Sequence, residues 1–137
     1  MFKRVLFVYD ESDVAERAFA RTLRLAKAEA VDLAIVAVIG ADEFALDAGA
    51  QTAFDCVSTQ IACELGRLER RARALGMVPL SMISQGDPAR EVARIAREWG
   101  ADVIVTGERK RGSLRWPNRS LGRALLAQAS CAVLVVR

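Results

Sequence analysis

Short runs of β-forming residues alternate with longer segments of helical periodicity along this chain, and this alternation constrains its fold more than any other feature. The runs cover residues 5–9, 33–39, 78–83, 103–105 and 133–136. Strands separated by helices pair in parallel through right-handed crossovers, and the helices cover the sheet. At 137 residues the chain is long enough for one domain with a real core. The sequence therefore predicts a single α/β domain, a doubly wound sandwich with a five-stranded parallel sheet and helices on both faces.

The segments between the strands carry helix-boundary signals. Ser12 or Asp13 is placed to cap the first helix. Asp87 followed by Pro88 is placed to start the third, which Gly100 is expected to end. The second and longest helix is predicted over residues 52–75, and the last over residues 120–128. Ligands of such folds bind beyond the carboxyl ends of the strands, where the strand order reverses. The residues of interest are therefore those that directly follow the strands.

The chain contains no histidine, and this excludes several classes of function. General acid–base catalysis by imidazole, Ser-His-Asp and Cys-His nucleophiles and the commonest zinc sites all require that residue. No catalytic residue and no metal site is predicted. The composition favours a binding protein over an enzyme.

The net charge of +3 is unevenly distributed. The basic segment, residues 109–123, holds six Lys or Arg residues and no acid, while the rest of the chain has 14 basic and 17 acidic residues. A local excess of this kind indicates a site for a small anion more than a general affinity for polyanions. Nucleic-acid binding is accordingly the least favoured hypothesis.

Two glycines lie at positions suited to phosphate binding. Gly107 follows Thr106 at the end of the fourth strand, and Gly122 lies where the last helix begins. Glycine allows a ligand to approach the backbone closely, and free N–H groups at a helix start attract phosphate. Arg109 and Lys110 add positive charge to the same loop. The structural alternative is a turn glycine, a capped helix and a solvated basic loop.

Asp10 follows the first strand directly. A carboxylate at this place in a dinucleotide-binding fold accepts hydrogen bonds from a ribose. It is equally suited to cap the turn into the first helix, beside Ser12 and Asp13. The sequence does not decide between these roles.

The cysteines and a group of arginines are given structural interpretations. Cys56 and Cys63 are seven residues apart, on one face of the second helix, and together with Cys131 they are expected to be buried thiols; the alternative is a redox or metal role. The arginines near the end of that helix are interpreted as a solvated helix terminus, with nucleic-acid contact as the alternative. They are Arg67, Arg70, Arg71 and Arg73.

No apolar stretch approaches the roughly 20 residues needed to span a bilayer. The amino terminus has too short an apolar run for a signal sequence. A soluble, cytoplasmic protein with no membrane contact is expected.

Four stretches, in chain order, resemble the universal stress protein family. They are the first strand and helix start (residues 5–12 and 15–18), the third strand-to-helix joint (85–92), the fourth strand and its loop (101–109) and the terminal strand (129–137). The resemblance implies a universal stress protein domain over residues 1–137. It also implies a homodimer, often paired through the last strand.

Many members of this family bind ATP or another adenine nucleotide through a loop of the form G-x2-G-x9-G-[ST]. Carried over to this chain, Asp10 would meet the ribose or base and Val38 would lie beside the adenine. Gly107 would approach the sugar and phosphates, with Thr106 before it, and Gly122 would face phosphate. The implied ligand is a small anion of this class, and members without the loop pattern do not bind ATP.

The loop of this chain departs from that pattern. Lys110 occupies the second glycine position and Arg123 the final Ser or Thr position. Gly107 and Gly122 have 14 residues between them, two more than the pattern allows. Either the loop has exchanged backbone contacts for charge, or it has lost the nucleotide.

Two functions follow. The first is a regulatory binder of an adenine nucleotide or similar phosphate-bearing ligand. The second is a dimeric stress-response interaction protein that binds no nucleotide. Enzymatic activity is expected to be at most slow ATP hydrolysis or autophosphorylation, because no general base beyond Asp10 is evident.

Overall fold

The computed structural model describes residues 2–40, 50–108 and 121–137. These residues form five strands and four helices in strict alternation. In chain order they are β1 (Arg4–Val8), α1 (Asp13–Glu29), β2 (Asp32–Ile39), α2 (Ala50–Ala74), β3 (Leu80–Gln85), α3 (Pro88–Trp99), β4 (Val103–Gly107), α4 (Leu121–Gln128) and β5 (Ala132–Val136).

The strands form one sheet in the order β3-β2-β1-β4-β5, and each neighbouring pair is parallel. β1 lies at the centre, where Val5 pairs with Leu33 of β2 on one side and with Val103 of β4 on the other. The chain extends the sheet from β1 through β2 to β3, and then returns to the opposite side of β1 with β4. The strand order therefore reverses between β1 and β4.

Alternate residues of the strands supply two apolar layers, one on each face of the sheet. One layer holds Phe7 and Ile35 together with residues of α1 and α2, and the rings of Phe7 and Phe19 lie 5.0 Å apart. The other holds Val8 and Ile104 together with residues of α3 and α4. Helices thus cover both faces, and the predicted fold class is confirmed.

Most helix boundaries follow the predicted signals. The Ser12 side chain accepts a hydrogen bond from the Ala15 N–H at the start of α1, and Asp87 accepts one from the Arg90 N–H at the start of α3. Gly100 ends α3 in the left-handed region. α1 instead ends at Ala30, which adopts φ 52° without being glycine.

The third strand begins two residues later than predicted, at Leu80 instead of Val78. Pro79 has no N–H to donate, so it interrupts the predicted run at its second position. Val78 is 87% exposed, and pairing with β2 starts at Leu80 opposite Ala34. The predicted strand started at Val78 because valine is an apolar, β-forming residue, and that boundary is wrong by two residues.

The expectation of buried cysteines is wrong for α2, because Cys56 and Cys63 are both exposed and Cys131 is half-buried. The side of α2 that packs on the sheet carries other residues, at spacings of four, three and four. They are Ile61, Leu65, Leu68 and Ala72. The two cysteines lie on the other side of the helix, so their shared face is the solvent face.

Within the described parts of the chain, no helix is both long and apolar enough to cross a membrane.

Candidate functional site

The candidate site is the crevice where β1 and β4 end side by side. Phe7 of β1 pairs with Val105 of β4, so the two strands end side by side. Asp10 comes two residues after the end of β1, and Gly107 is the last residue of β4. From here the chain enters α1 on one face and leads towards α4 on the other. Ligands of doubly wound folds bind where connections diverge in this way.

Asp10 lies at this edge and is 4% exposed. Its Oδ1 accepts two hydrogen bonds from Ser12, one from the backbone N–H at 3.1 Å and one from the hydroxyl at 2.6 Å. The Ser12 Oγ in turn accepts from the Ala15 N–H at 3.0 Å. Asp10 therefore orients the residue that caps α1, and the predicted capping role is observed.

Gly107 is required by the packing of α1 against the end of β4. A Cβ atom at this position would lie 2.7 Å from Val14 Cγ1 and 3.2 Å from the Val14 carbonyl carbon. Those distances are too short for any side chain. The glycine thus brings the first turn of α1 close to the crevice.

Gly122 has the same function for α4 on the opposite face. Its Cβ would lie 2.9 Å from Val135 Cγ2 and 3.7 Å from Thr106 Cγ2. Thr106 itself is 1% exposed and pairs with Val135 of β5. The first turn of α4 is therefore held directly against the end of the sheet.

The remaining predicted site residues are placed differently from one another. Val38 is buried in the apolar layer under α3 and α4. Arg123 is exposed in the first turn of α4. Arg109 and Lys110 lie outside the described residues.

A network of polar side chains beside the crevice was not predicted. Tyr9, the neighbour of Asp10, donates its hydroxyl to Glu64 of α2 at 3.2 Å. Arg67 binds both Glu64, at 3.1 Å, and Glu16 of α1, and Arg71 binds Glu16 at 2.9 Å. Two of the arginines interpreted as a solvated helix terminus thus join α2 to α1, and that interpretation is wrong for them.

Burial and the nearby Glu64 carboxylate raise the pKa of Tyr9 to about 12, so its phenol stays protonated and keeps donating. The hydrogen bond from Arg67 lowers the pKa of Glu16 below its usual value. The Glu64–Arg67 spacing of three residues was the sequence signal for part of this network. Its link to Glu16, 51 residues away, had no local signal.

The sequence also offers a second way to align the loop with the G-x2-G-x9-G pattern, with Gly112 as the second glycine. Gly112 precedes Gly122 with nine residues between them, the spacing of the second half of the G-x2-G-x9-G form. With Gly112 as the second glycine, the two additional residues lie between Gly107 and Gly112. In that alignment Lys110 does not stand at a glycine position of the pattern. Gly112 is outside the described residues.

The whole sequence, residues 1–137, matches the family model described as the universal stress protein family. The chain belongs to this family. A universal stress protein of Thermus aquaticus, encoded in the 3′ region of a QAH/OAS sulfhydrylase gene, is 35% identical over 143 residues and is covered completely, as is this chain.

Solved universal stress proteins share the fold. UspA from Lactobacillus plantarum superimposes with a TM-score of 0.86 at 22% identity, over 98% of this chain and 97% of that one. A universal stress protein solved in complex with cAMP has a TM-score of 0.71 at 23% identity, over 99% and 97% of the two chains. One from Archaeoglobus fulgidus, solved in complex with dAMP, has the same TM-score at 19% identity, over 100% and 98%.

Proposed function

We propose that this universal stress protein is a regulatory binder of an adenine nucleotide or a similar phosphate-bearing ligand at the β1/β4 crevice. The observation that carries the proposal is the convergence of Asp10, Gly107 and the first turn of α4 where the strand order reverses. Relatives of the same fold have been solved with cAMP and dAMP. Both ligands contain an adenine base and one phosphate group.

Each residue of the crevice has a role in such binding. The Asp10 carboxylate is suited to accept a hydrogen bond from a sugar hydroxyl, since Ser12 already fixes its orientation. The first N–H groups of α4 have no partner within the helix and attract phosphate. Arg123, exposed in that same turn, adds a positive charge. Ligand occupancy would order the surroundings of the crevice and so alter a surface that a partner protein reads.

Titration calorimetry with ATP, ADP, AMP and cAMP tests this proposal. Binding of at least one nucleotide is expected, and Asp10→Asn should weaken it roughly 10- to 100-fold, the effect of losing a hydrogen bond to a charged group. Asp87→Asn is the matched control, because Asp87 also caps a helix but lies at the start of α3. Absence of heat and of a thermal shift with all four nucleotides would contradict the proposal.

A function without nucleotide is the second candidate, and one observation favours it. The absence of side chains at Gly107 and Gly122 is fully explained by Val14 and Val135, so neither glycine requires a ligand. Native mass spectrometry of protein purified without added nucleotide separates the two candidates. A retained nucleotide rules out the second.

We also propose a homodimer that forms through β5. Leu134 in this edge strand is 46% exposed, and Leu126 on the adjacent α4 is 62% exposed. The strand Ala132–Val136 contains no charged residue. An uncharged edge with apolar neighbours is a ready template for pairing with another chain.

A further inference from the structure

We propose that Cys56 and Cys63 form a peroxide-sensitive site that joins two copies of this chain through a pair of symmetry-related disulfides on α2. The proposal is independent of nucleotide binding. Cysteine is among the most frequently buried residue types, yet both of these thiols are exposed on the same helix. Both thiols are therefore accessible to a reactive group outside their own chain.

A bridge between the two cysteines of one chain is excluded by distance. Seven residues along a helix correspond to about 10 Å, and a disulfide needs Cα atoms within about 7 Å. Cys131, half-buried next to β5 on the edge of the sheet away from α2, is no closer alternative. Each exposed thiol can therefore be bridged only to a second molecule.

The spacing is self-complementary when a second copy of α2 lies antiparallel. A two-fold axis near residues 59 and 60 brings Cys56 level with Cys63 of the partner subunit. By the same symmetry it brings Cys63 level with the partner subunit's Cys56, so one arrangement forms both bonds. No other thiol pairing across that axis closes two bonds at once.

The face of α2 around the thiols allows two helices to approach closely. Thr52 and Thr59 are small, uncharged and exposed on the same side as the thiols, and Gly66 follows one turn after Cys63. The Arg70 guanidinium lies over Gly66, so this long, exposed side chain has to turn aside where the helices meet. The large side chains Ile61 and Leu65 point into the core instead. Helix axes about 8 Å apart, near the lower limit of normal packing, place Cβ atoms within disulfide range.

The reaction needs a peroxide as oxidant. One thiol loses its proton, and the thiolate attacks a peroxide oxygen, which breaks the O–O bond and gives a sulfenic acid. The leaving hydroxide takes up the thiol proton and becomes water. The thiolate of the partner subunit then attacks the sulfenic sulfur, forms the S–S bond and releases a second water. Each disulfide thus consumes two thiols and one hydrogen peroxide. Two turnovers convert four thiols into the closed pair, and a dithiol reductant reverses it.

The test is oxidation of the reduced 137-residue chain with hydrogen peroxide, followed by non-reducing electrophoresis and mass spectrometry of the peptides. A covalent dimer is expected, which disappears with dithiothreitol and yields the cross-link between Cys56 and Cys63. The covalent species seen under denaturing conditions should stop at the dimer, because the closed pair uses both exposed thiols of each chain. A ladder of larger species, or a Cys56–Cys56 link, would overturn the antiparallel register. A chain that stays monomeric in non-reducing gels would overturn the proposal.

Matched variants sharpen the result. Cys56→Ser and Cys63→Ser should each abolish the covalent dimer, whereas an equal mixture of the two variants should recover it through a single bond. Cys131→Ser should behave like the parent chain. Cys56 and Cys63 are exposed and Cys131 is half-buried, so a serine fits at each position and thermal unfolding should show all three variants folded. A covalent dimer in Cys63→Ser alone contradicts the inference.

Discussion

At the scale of single residues, two glycines hold helices close to the candidate site. Gly107 faces Val14 at a distance that no side chain tolerates, and Gly122 similarly faces Val135. Sequence analysis identified both positions as places where a ligand would approach the backbone or, in the structural alternative, as a turn glycine and a capped helix. The side-chain contacts that require them come from elements far apart in the chain, so no local pattern reveals them.

Gly107→Ala is therefore expected to destabilise the protein by about 1–3 kcal/mol, the usual cost of overpacking a filled site. Gly66→Ala is the matched control, because a Cβ there meets only the Arg70 guanidinium at an ordinary 3.5 Å. This second change should stabilise the protein by about 0.5–1 kcal/mol, since alanine favours a helix interior. Urea unfolding measures both. Equal effects of the two changes would show that the Val14 contact does not matter.

Tyr9 offers a direct probe of the network beside the crevice, since it is the only tyrosine in the sequence. Its phenolate absorbance should titrate with a midpoint of about 12 in the folded protein, against 10.0 ordinarily. Because the folded pKa is raised, its contribution to stability is present below pH 10 and is lost as the pH rises through 12. Glu64→Gln should lower the midpoint, while burial keeps it above the ordinary value. A folded-state midpoint at 10 would contradict the buried, hydrogen-bonded placement.

At the scale of elements, helices were predicted more accurately than their contacts. Ser12, Asp87 and Gly100 mark helix ends through interactions within a few residues, so the sequence reveals them. The attachment of α2 to α1 through Glu16, Arg67 and Arg71 joins residues more than 50 positions apart. The side that the α2 cysteines face has a local signal instead: Ile61, Leu65 and Leu68 recur at helical spacing on the opposite side, and the sequence analysis did not use it.

The contact between β3 and α3 predicts a measurable pH dependence. Glu91 accepts hydrogen bonds from Arg94 and from Ser84 of β3, and these lower its pKa from 4.5 to about 2. Because the folded pKa is depressed, this contribution is present above pH 4.5 and is lost as the pH falls towards 2. Glu91→Gln should flatten the loss of stability in that window, as followed by urea unfolding at several pH values.

Glu98→Gln is the control for that measurement. Glu98 binds the same Arg94, but its side chain is 62% exposed, and exposed ion pairs contribute at most about 1 kcal/mol. Glu98→Gln should therefore leave the fall in unfolding free energy between pH 5 and 2 almost unchanged. If Glu91→Gln follows the parent curve from pH 5 to 2, the link between β3 and α3 is not a source of acid sensitivity.

At the scale of the whole molecule, the order of strands and helices was predictable because each element has its own signal. The pairing order was not predicted, because doubly wound folds share the alternation of strands and helices but differ in strand order. β3 and β5 both lie at open edges of the sheet, and neither contains a charged residue. The lack of charge alone therefore does not distinguish the proposed dimer edge from the other one, and the choice of β5 rests on its exposed apolar neighbours.

The proposed dimer allows a paired test of the two edges. Leu134→Asp in β5 should reduce the molecular mass seen by light scattering from dimer to monomer, because it places a buried charge in the interface. Leu80→Asp in β3 is the matched control: Leu80 is 50% exposed, close to the 46% of Leu134, and its substitution should leave the dimer intact. The opposite outcome assigns the interface to β3.

The position of β1 at the centre of the sheet has a consequence for synthesis on the ribosome. The strands β1, β2 and β3 are contiguous in the sheet and complete by residue 85, so this half can assemble early. The second neighbour of β1, β4, ends only at residue 107. During that interval the central strand of the finished sheet has one unpaired edge. Exposed edges of apolar strands are the kind of surface that chaperones protect and that aggregates when it is not protected. The nascent chain is therefore most vulnerable while the residues that complete the candidate site are still being made.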